Sequence, residues 1–326
     1  MIKKHLEYKL PEFDSFLSNS NVDLFICSTS FEERCLTIPQ MLPDKIKNVR
    51  VLHFNKSYSL SNDNLDKMKN LIPRLSTITI EKNNPYLSFI NLLTQLNSIP
   101  FENSCKRNVL IDISTVNREH IYLLIHIFLN EINGLKDKFN LSICYNSAKE
   151  YSYNSLTNST KWLSKGVREI RSVLGFSGNF VPTKKLALIL LTGFETQRAK
   201  KVILNFSPNK LILGHASKED AIEESFQEYN FSIFKHINEF SNYPMEQFSF
   251  SCKSAQSTKD FLNARIKEIE LNYNIVIAGL NNKISTLGIA LCGLENPNVQ
   301  ICYPTVNQYN VDYYSLPSED VFLFQF

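Results

Sequence analysis

The residues best suited to chemistry in this 326-residue chain stand in short polar clusters, each directly after an apolar run. After Leu24–Cys27 come Ser28, Thr29, Ser30, Glu32 and Arg34. After Leu186–Leu191 come Thr192, Gly193, Glu195 and Arg198. A second pair follows later runs: Asp112, Ser114, Thr115, Asn117 and Arg118 in one, and Asn281, Asn282, Lys283 and Ser285 in the other. Small hydroxyl and amide side chains with one long cation are what a phosphate or nucleotide site requires. Backbone N–H groups at a helix N-terminus already favour an anion, and an Arg or Lys adds charge-assisted contacts to phosphate oxygens. A carboxylate would repel phosphate, so a functional Glu32 or Glu195 would bind a ribose hydroxyl, orient the Arg or act as a base.

A structural reading competes with this one. Thr29-Ser-Phe-Glu32 and Thr192-Gly-Phe-Glu195 both fit the capping box, in which a Ser or Thr caps a helix and the Glu reaches back. That reading is preferred for the two glutamates. Function is preferred for Arg118 and Lys283, because a long basic side chain directly after a strand serves no core purpose. His53 and His215 fall at similar strand ends and read as hydrogen-bonded structural residues; Tyr145, Tyr151, Tyr303 and Tyr309 read as packing aromatics, with stacking on a base as the alternative for two of them. The chain lacks Gly-x-Gly-x-x-Gly after its first strands, Walker A, His-Glu-x-x-His, Gly-x-Ser-x-Gly and any zinc spacing. No complete acid–base or nucleophile constellation is visible, which favours binding over chemistry and leaves catalysis open. No metal and no cofactor is expected.

The elements that position these clusters show an internal duplication. Ile143-Cys-Tyr145 and Ile301-Cys-Tyr303 each have a second Tyr six positions after the first, Tyr151 and Tyr309. Together with the Thr-x-Phe-Glu loops and the later clusters, the matches keep their order at an offset of about 160 residues. Each half reads as strand, helix, strand, a helix-rich insert, strand, helix, strand, with helices over 117–129 and 284–294. Alternating strands and helices, with near-continuous apolar strands, predict a parallel sheet buried on both faces. The fold class is therefore α/β: two tandem Rossmann-like half-domains, each a mostly parallel sheet flanked by helices. A helix is expected over 162–175, and the turn-rich 176–184 marks a boundary between residues 1–175 and 184–326. The first 15 or so residues form a lead-in element. The arginine after Phe-Glu is shifted by one residue between the halves, about 100° around a helix, which predicts that Arg34 and Arg198 are not equivalent.

Composition sets the class. The chain is 43% hydrophobic and 21% charged, with a net charge of +3. No long basic block points to non-specific nucleic-acid binding. Seven cysteines without a Cys-x-x-Cys pair, mostly inside apolar runs, read as buried thiols in a reducing compartment. Met1-Ile2-Lys3-Lys4 opens no signal peptide, and the longest apolar run is far too short for a bilayer. A cytoplasmic protein without membrane association is expected.

The strand Ile275–Leu280 followed by Asn281-Asn282-Lys283-Ile284-Ser285 resembles the strand-end turn of CARF (CRISPR-associated Rossmann fold) sensor domains. Where those domains have a Gly/Thr/Lys-rich turn, this chain keeps the lysine and lacks the glycines and the threonine. Two such units in one chain are similar to the SAVED type of sensor in bacterial anti-phage defence. The resemblance implies recognition of a nucleotide or oligonucleotide second messenger between the two repeats, with Arg118 and Lys283 as phosphate contacts. Ser28 to Ser30 and Thr192-Gly193 would be further contacts. It also implies a separate effector protein, since the repeats fill the chain, and it allows a homo-oligomer. The alternatives are a nucleotide-processing hydrolase of phosphodiesterase or NAD-glycosidase type, the latter because Asp23–Ser30 resembles the opening strand of a TIR domain, and a non-catalytic scaffold of a defence complex.

Overall fold

The computed structural model describes residues 2–99, 106–130, 137–152, 162–240 and 243–326. The chain separates into two compact units. One comprises Met1–His120, Ile127–Ser159 and Val311–Phe326; the other comprises Ile121–His126 and Thr160–Asn310.

The first stretch of chain runs β1 (Lys4–Lys9), α1 (Leu10–Asn19), β2 (Leu24–Ser28), β3 (Asn48–Phe54), α2 (Ser59–Leu71), β4 (Leu75–Ile80), α3 (Pro85–Asn97), β5 (Arg107–Asp112), α4 (Arg118–Leu129) and β6 (Phe139–Tyr151). The second runs β7 (Ser164–Ser177), β8 (Lys185–Leu191), α5 (Thr196–Phe206), β9 (Lys210–Ala216), α6 (Glu224–Phe240), β10 (Met245–Phe250), α7 (Ala255–Ile269), β11 (Tyr273–Gly279), α8 (Lys283–Glu295) and β12 (Gln300–Tyr309). A last strand, β13, spans Ser315–Gln325.

Two mostly parallel sheets result, as the alternating pattern predicts. The first has the order β1-β13-β6-β5-β2-β3-β4 and the second β10-β9-β8-β11-β12-β7. Five parallel strands in each follow one rule. The first strand (β2 or β8) is central, the next two step to one side, and the last two step to the other. The sequence repeat is therefore a repeat of topology. The central strand β2 is buried along its whole length, Leu24 to Ser28, and β8 from Ala187 to Leu191, as expected where helices cover both faces. Phe13, Leu17, Phe25, Val49, Val51 and Met68 pack one core; Leu188, Leu190, Val202, Ile203, Leu211 and Phe234 pack the other.

The structure corrects two expectations. Residues 162–175 do not form a helix. Ser164–Ser177 is strand β7, antiparallel to β12. Gly166 and Gly175 have φ of +67° and +85°, which no helix interior accommodates, and the pairing with β12 overrides a pattern that also suits a helix. Nor does the chain divide at 176–184, which joins β7 to β8 within one compact unit. The final strand instead belongs with the first unit, where β13 lies antiparallel to both β6 and β1. Each sheet is thus completed by the strand that follows the other sheet's last parallel strand: β7 follows β6 but pairs with β12, and β13 follows β12 but pairs with β6. Among the described residues no helix is long and apolar enough to cross a membrane.

Deleting residues 311–326 removes the strand between β1 and β6. The truncated chain is expected to lose a thermal transition, and limited proteolysis should cut within residues 2–152 while a core within 162–310 persists.

Candidate functional site

The two loops after the central strands follow one path, residue for residue. The Thr29 N–H donates to the Leu52 carbonyl at 2.9 Å and its hydroxyl lies 3.4 Å from the same oxygen; the Thr192 N–H and hydroxyl donate to the Gly214 carbonyl at 3.0 and 2.6 Å. The next carbonyl is held by a buried asparagine from the following helix. Asn64 on α2 donates to Ser30, and Asn230 on α6 donates to Gly193, both at 2.9 Å. A Cβ on Gly193 would stand 1.9 Å from the Leu280 carbonyl oxygen, so only glycine fits there. The two asparagines escape a sequence reading. They are polar residues on amphipathic helices whose partners lie about 35 residues away, and nothing local marks them.

Beyond each loop lies a buried ion-pair cluster. Arg34, 1% exposed, donates to Glu32 Oε2 at 2.9 Å and to the Asn146 carbonyl at 2.9 Å. Arg198, 3% exposed, donates to Glu195 Oε2 at 2.8 Å and to the Pro304 carbonyl at 2.7 Å. Asn146 and Pro304 are the residues after Tyr145 and Tyr303, and each guanidinium sits 5.9 Å from the centroid of that tyrosine. Each glutamate also accepts from the first residue of the sheet's antiparallel strand, Ser315 on β13 for Glu32 and Ser164 on β7 for Glu195. The Tyr303 and Tyr309 hydroxyls meet at 3.4 Å. Burial alone would lower the Arg34 guanidinium, but Glu32, Tyr151 and Tyr145 outweigh it and hold it above its ordinary range. Glu195, Tyr303 and Tyr309 do the same for Arg198. Both cations stay charged.

These clusters revise three expectations. Glu32 and Glu195 are not capping-box partners, because Thr29 and Thr192 still belong to the strand ladder and helical structure starts only after each glutamate. Arg34 and Arg198 are buried and paired with these glutamates rather than set on an open surface. Arg34 and Arg198 are also equivalent despite the one-residue shift. Arg34 lies in a 3₁₀ turn, Glu33–Leu36, and Arg198 in α5. Two residues of 3₁₀ helix rise about 4 Å and three of α-helix about 4.5 Å, so each reaches the corresponding carbonyl of its unit, Asn146 or Pro304.

The later clusters sit at helix N-termini. Asn117 Oδ1 accepts the His120 N–H at 2.8 Å, and Asn282 Oδ1 accepts the Ser285 N–H at 2.9 Å. Arg118 and Lys283 are the first residues of α4 and α8, both half-buried. Thr115 donates to the Ser28 carbonyl at 3.1 Å, and Asn281 donates to the Thr192 carbonyl at 2.7 Å, so each later cluster is tied to the loop after the central strand. Ser28, Thr115 and the start of α4 therefore come together in the first unit, and Thr192, Asn281, Asn282 and Lys283 in the second. Ser285 is fully buried and donates back to the Asn282 carbonyl. Ser114 is buried too, bonded to Asp112 and accepting the Asn146 N–H at 2.8 Å. The corresponding positions of the second unit, Ala278, Leu280 and Pro304, cannot form that chain. His53 Nδ1 lies 2.7 Å from the Thr29 hydroxyl, and burial lowers the imidazole pKa; His215 packs on Phe231 and Phe234. Among the described residues no group of three or more His, Cys, Asp and Glu could hold a metal ion.

Arg34→Met leaves the buried Glu32 carboxylate without its cation, which costs about 3–5 kcal/mol, and Arg198→Met, which leaves the partly exposed Glu195, should cost less; chemical denaturation should show losses in that order. The thiols of Cys35, Cys252, Cys292 and Cys302 are pushed up by burial to about 12. Iodoacetamide at pH 8 should leave these four unmodified in the native protein and label them in denaturant, by mass spectrometry. Cys105 lies outside the described residues.

No known family's sequence profile matches this chain, and no curated protein matches it. Among solved structures it is similar to one described as a Type III CRISPR defence DNA nuclease activated by cyclic oligoadenylate. The TM-score is 0.50 and the identity 5%, over 82% of this chain and 63% of that one. At that identity the likeness is one of fold, and this chain spans less than two-thirds of the neighbour's length.

Proposed function

We propose that this protein is a nucleotide-binding sensor of antiviral defence, which reads a phosphate-containing second messenger at the carboxyl ends of its sheet strands and relays its bound state to a separate effector. The observation that carries the proposal is the equivalence of Asn117-Arg118 with Asn282-Lys283. In both units an asparagine caps the helix after the fourth parallel strand, and the first helical residue is a cation. A capped N-terminus offers N–H groups and a positive dipole end to an anion, and a cation at the first position adds a charge-assisted contact. The duplication supports a ligand with repeated phosphates. The fold likeness to a nuclease activated by cyclic oligoadenylate makes cyclic oligoadenylates the first ligand class to test. A hydrolase reading that uses Glu32 or Glu195 as base loses support, since both carboxylates are committed to buried cations.

Calorimetry with a panel of cyclic oligoadenylates is expected to show binding by the wild-type chain. Arg118→Ala and Lys283→Ala should each weaken it by roughly 10- to 100-fold, the worth of one hydrogen bond to a charged group, with melting temperatures nearly unchanged. Wild-type protein that binds no member of the panel, or variants that bind normally, would overturn the proposal.

A further inference from the structure

We infer that Phe31 and Phe194 are base-stacking residues, one in each unit, that read the nucleobases of the bound ligand; this rests on the nucleotide-sensor reading above. The two phenylalanines occupy equivalent positions, between the residue held by the helix asparagine and the glutamate of the ion pair. Their surroundings invert the usual arrangement of apolar and polar groups. Ser30 and Glu32 are 9% and 7% exposed, whereas Phe31 between them is only partly buried. In the second unit Gly193 is buried and Phe194 is partly exposed. A loop that sinks its polar residues while leaving its aromatic ring at the surface presents the ring rather than packs it.

The presentation is rigid. Asn64 or Asn230 fixes the carbonyl before the ring, and Glu32–Arg34 or Glu195–Arg198 fixes the residue after it. Other aromatics border each ring. Phe31 lies 5.4 Å from Tyr58 and 5.4 Å from Tyr314, both nearly perpendicular to it. Phe194 lies 5.8 Å from Phe226 and 5.6 Å from Tyr229, which is 41% exposed. The Tyr58 ring also carries Lys82 at 5.9 Å, which brings a cation to the edge of the aromatic group. Partly exposed aromatic rings at the strand ends, with Lys82 beside one group, suit a ligand with flat bases on a phosphate backbone, and every base has a face to stack. The bordering residues differ between the units, Tyr58 and Tyr314 against Phe226 and Tyr229, yet the central Phe is the same.

The test uses the full chain and a cyclic oligoadenylate carrying 2-aminopurine at one position, followed by fluorescence titration. Phe31→Leu and Phe194→Leu keep an apolar side chain but remove the flat ring. Each should weaken binding at least about ten-fold, as expected for one stacked base, while Phe31→Trp and Phe194→Trp restore it and all four variants melt with the wild type. Leucine variants that bind as tightly as wild type overturn the inference and leave the sensor reading intact. Leucine variants that melt early assign the rings to packing and overturn it as well. Wild-type protein that binds none of the probe rejects the sensor reading itself.

Discussion

The structure depends on one interaction made twice: a glutamate–arginine pair buried at the carboxyl end of each central strand. A charge taken out of water is costly unless its partner and further hydrogen bonds are placed to receive it. Both pairs meet that condition in the same way. The glutamate takes a serine hydroxyl, the arginine takes a backbone carbonyl, and a tyrosine ring faces the guanidinium. Three parts of each sheet are fastened at that point: the loop after the first strand, the last parallel strand and the antiparallel strand beside it. In the first sheet that antiparallel strand, β13, comes from the end of the chain, whereas in the second it is β7, which directly precedes the central strand β8.

That fastening gives the neighbouring loops their shape. Residues 28–32 and 191–195 carry few internal bonds and are set by groups from elsewhere: a helix asparagine, a strand carbonyl and the ion pair. Within this shared frame the units have diverged. The first holds a buried polar chain through Asp112, Ser114 and the Asn146 N–H, where the second has Ala278, Leu280 and Pro304. Proline has no N–H to donate, so the loss of the serine hydroxyl and of the acid goes with it. The first unit has Ser30 where the second has Gly193, whose backbone approaches Leu280 too closely for any side chain. The two units thus share a topology and differ in the chemistry at their strand ends.

Much of this was legible in the residues. The repeated Ile-Cys-Tyr, the Thr-x-Phe-Glu loops and the apolar runs give the duplicated α/β fold, because each reflects a local rule of burial or periodicity. The capped starts of α4 and α8 are legible for the same reason. What was not legible depends on distant partners. Ser164–Ser177 carries an apolar pattern that suits either a helix or a strand, and only β12 and two glycines with positive φ decide it. The one-residue shift of Arg198 against Arg34 reads as divergence until a 3₁₀ turn in one unit and an α-helix in the other bring each to the corresponding carbonyl, Asn146 or Pro304. Glu32 and Glu195 look like caps or bases because their counter-charge is near in sequence but their serine partners are not.

Read as a sensor, the protein sets two rigid, aromatic-bearing loops and two cation-headed helix starts at the strand ends, and a ligand with several phosphates engages the latter. Hydrogen–deuterium exchange of the full chain with and without saturating cyclic oligoadenylate tests this most directly. Slower exchange is expected at the first-turn amides of α4 and α8, residues 118–121 and 283–286, and in the loops at 28–32 and 192–195. Binding that leaves those amides unchanged and protects other surfaces would contradict it.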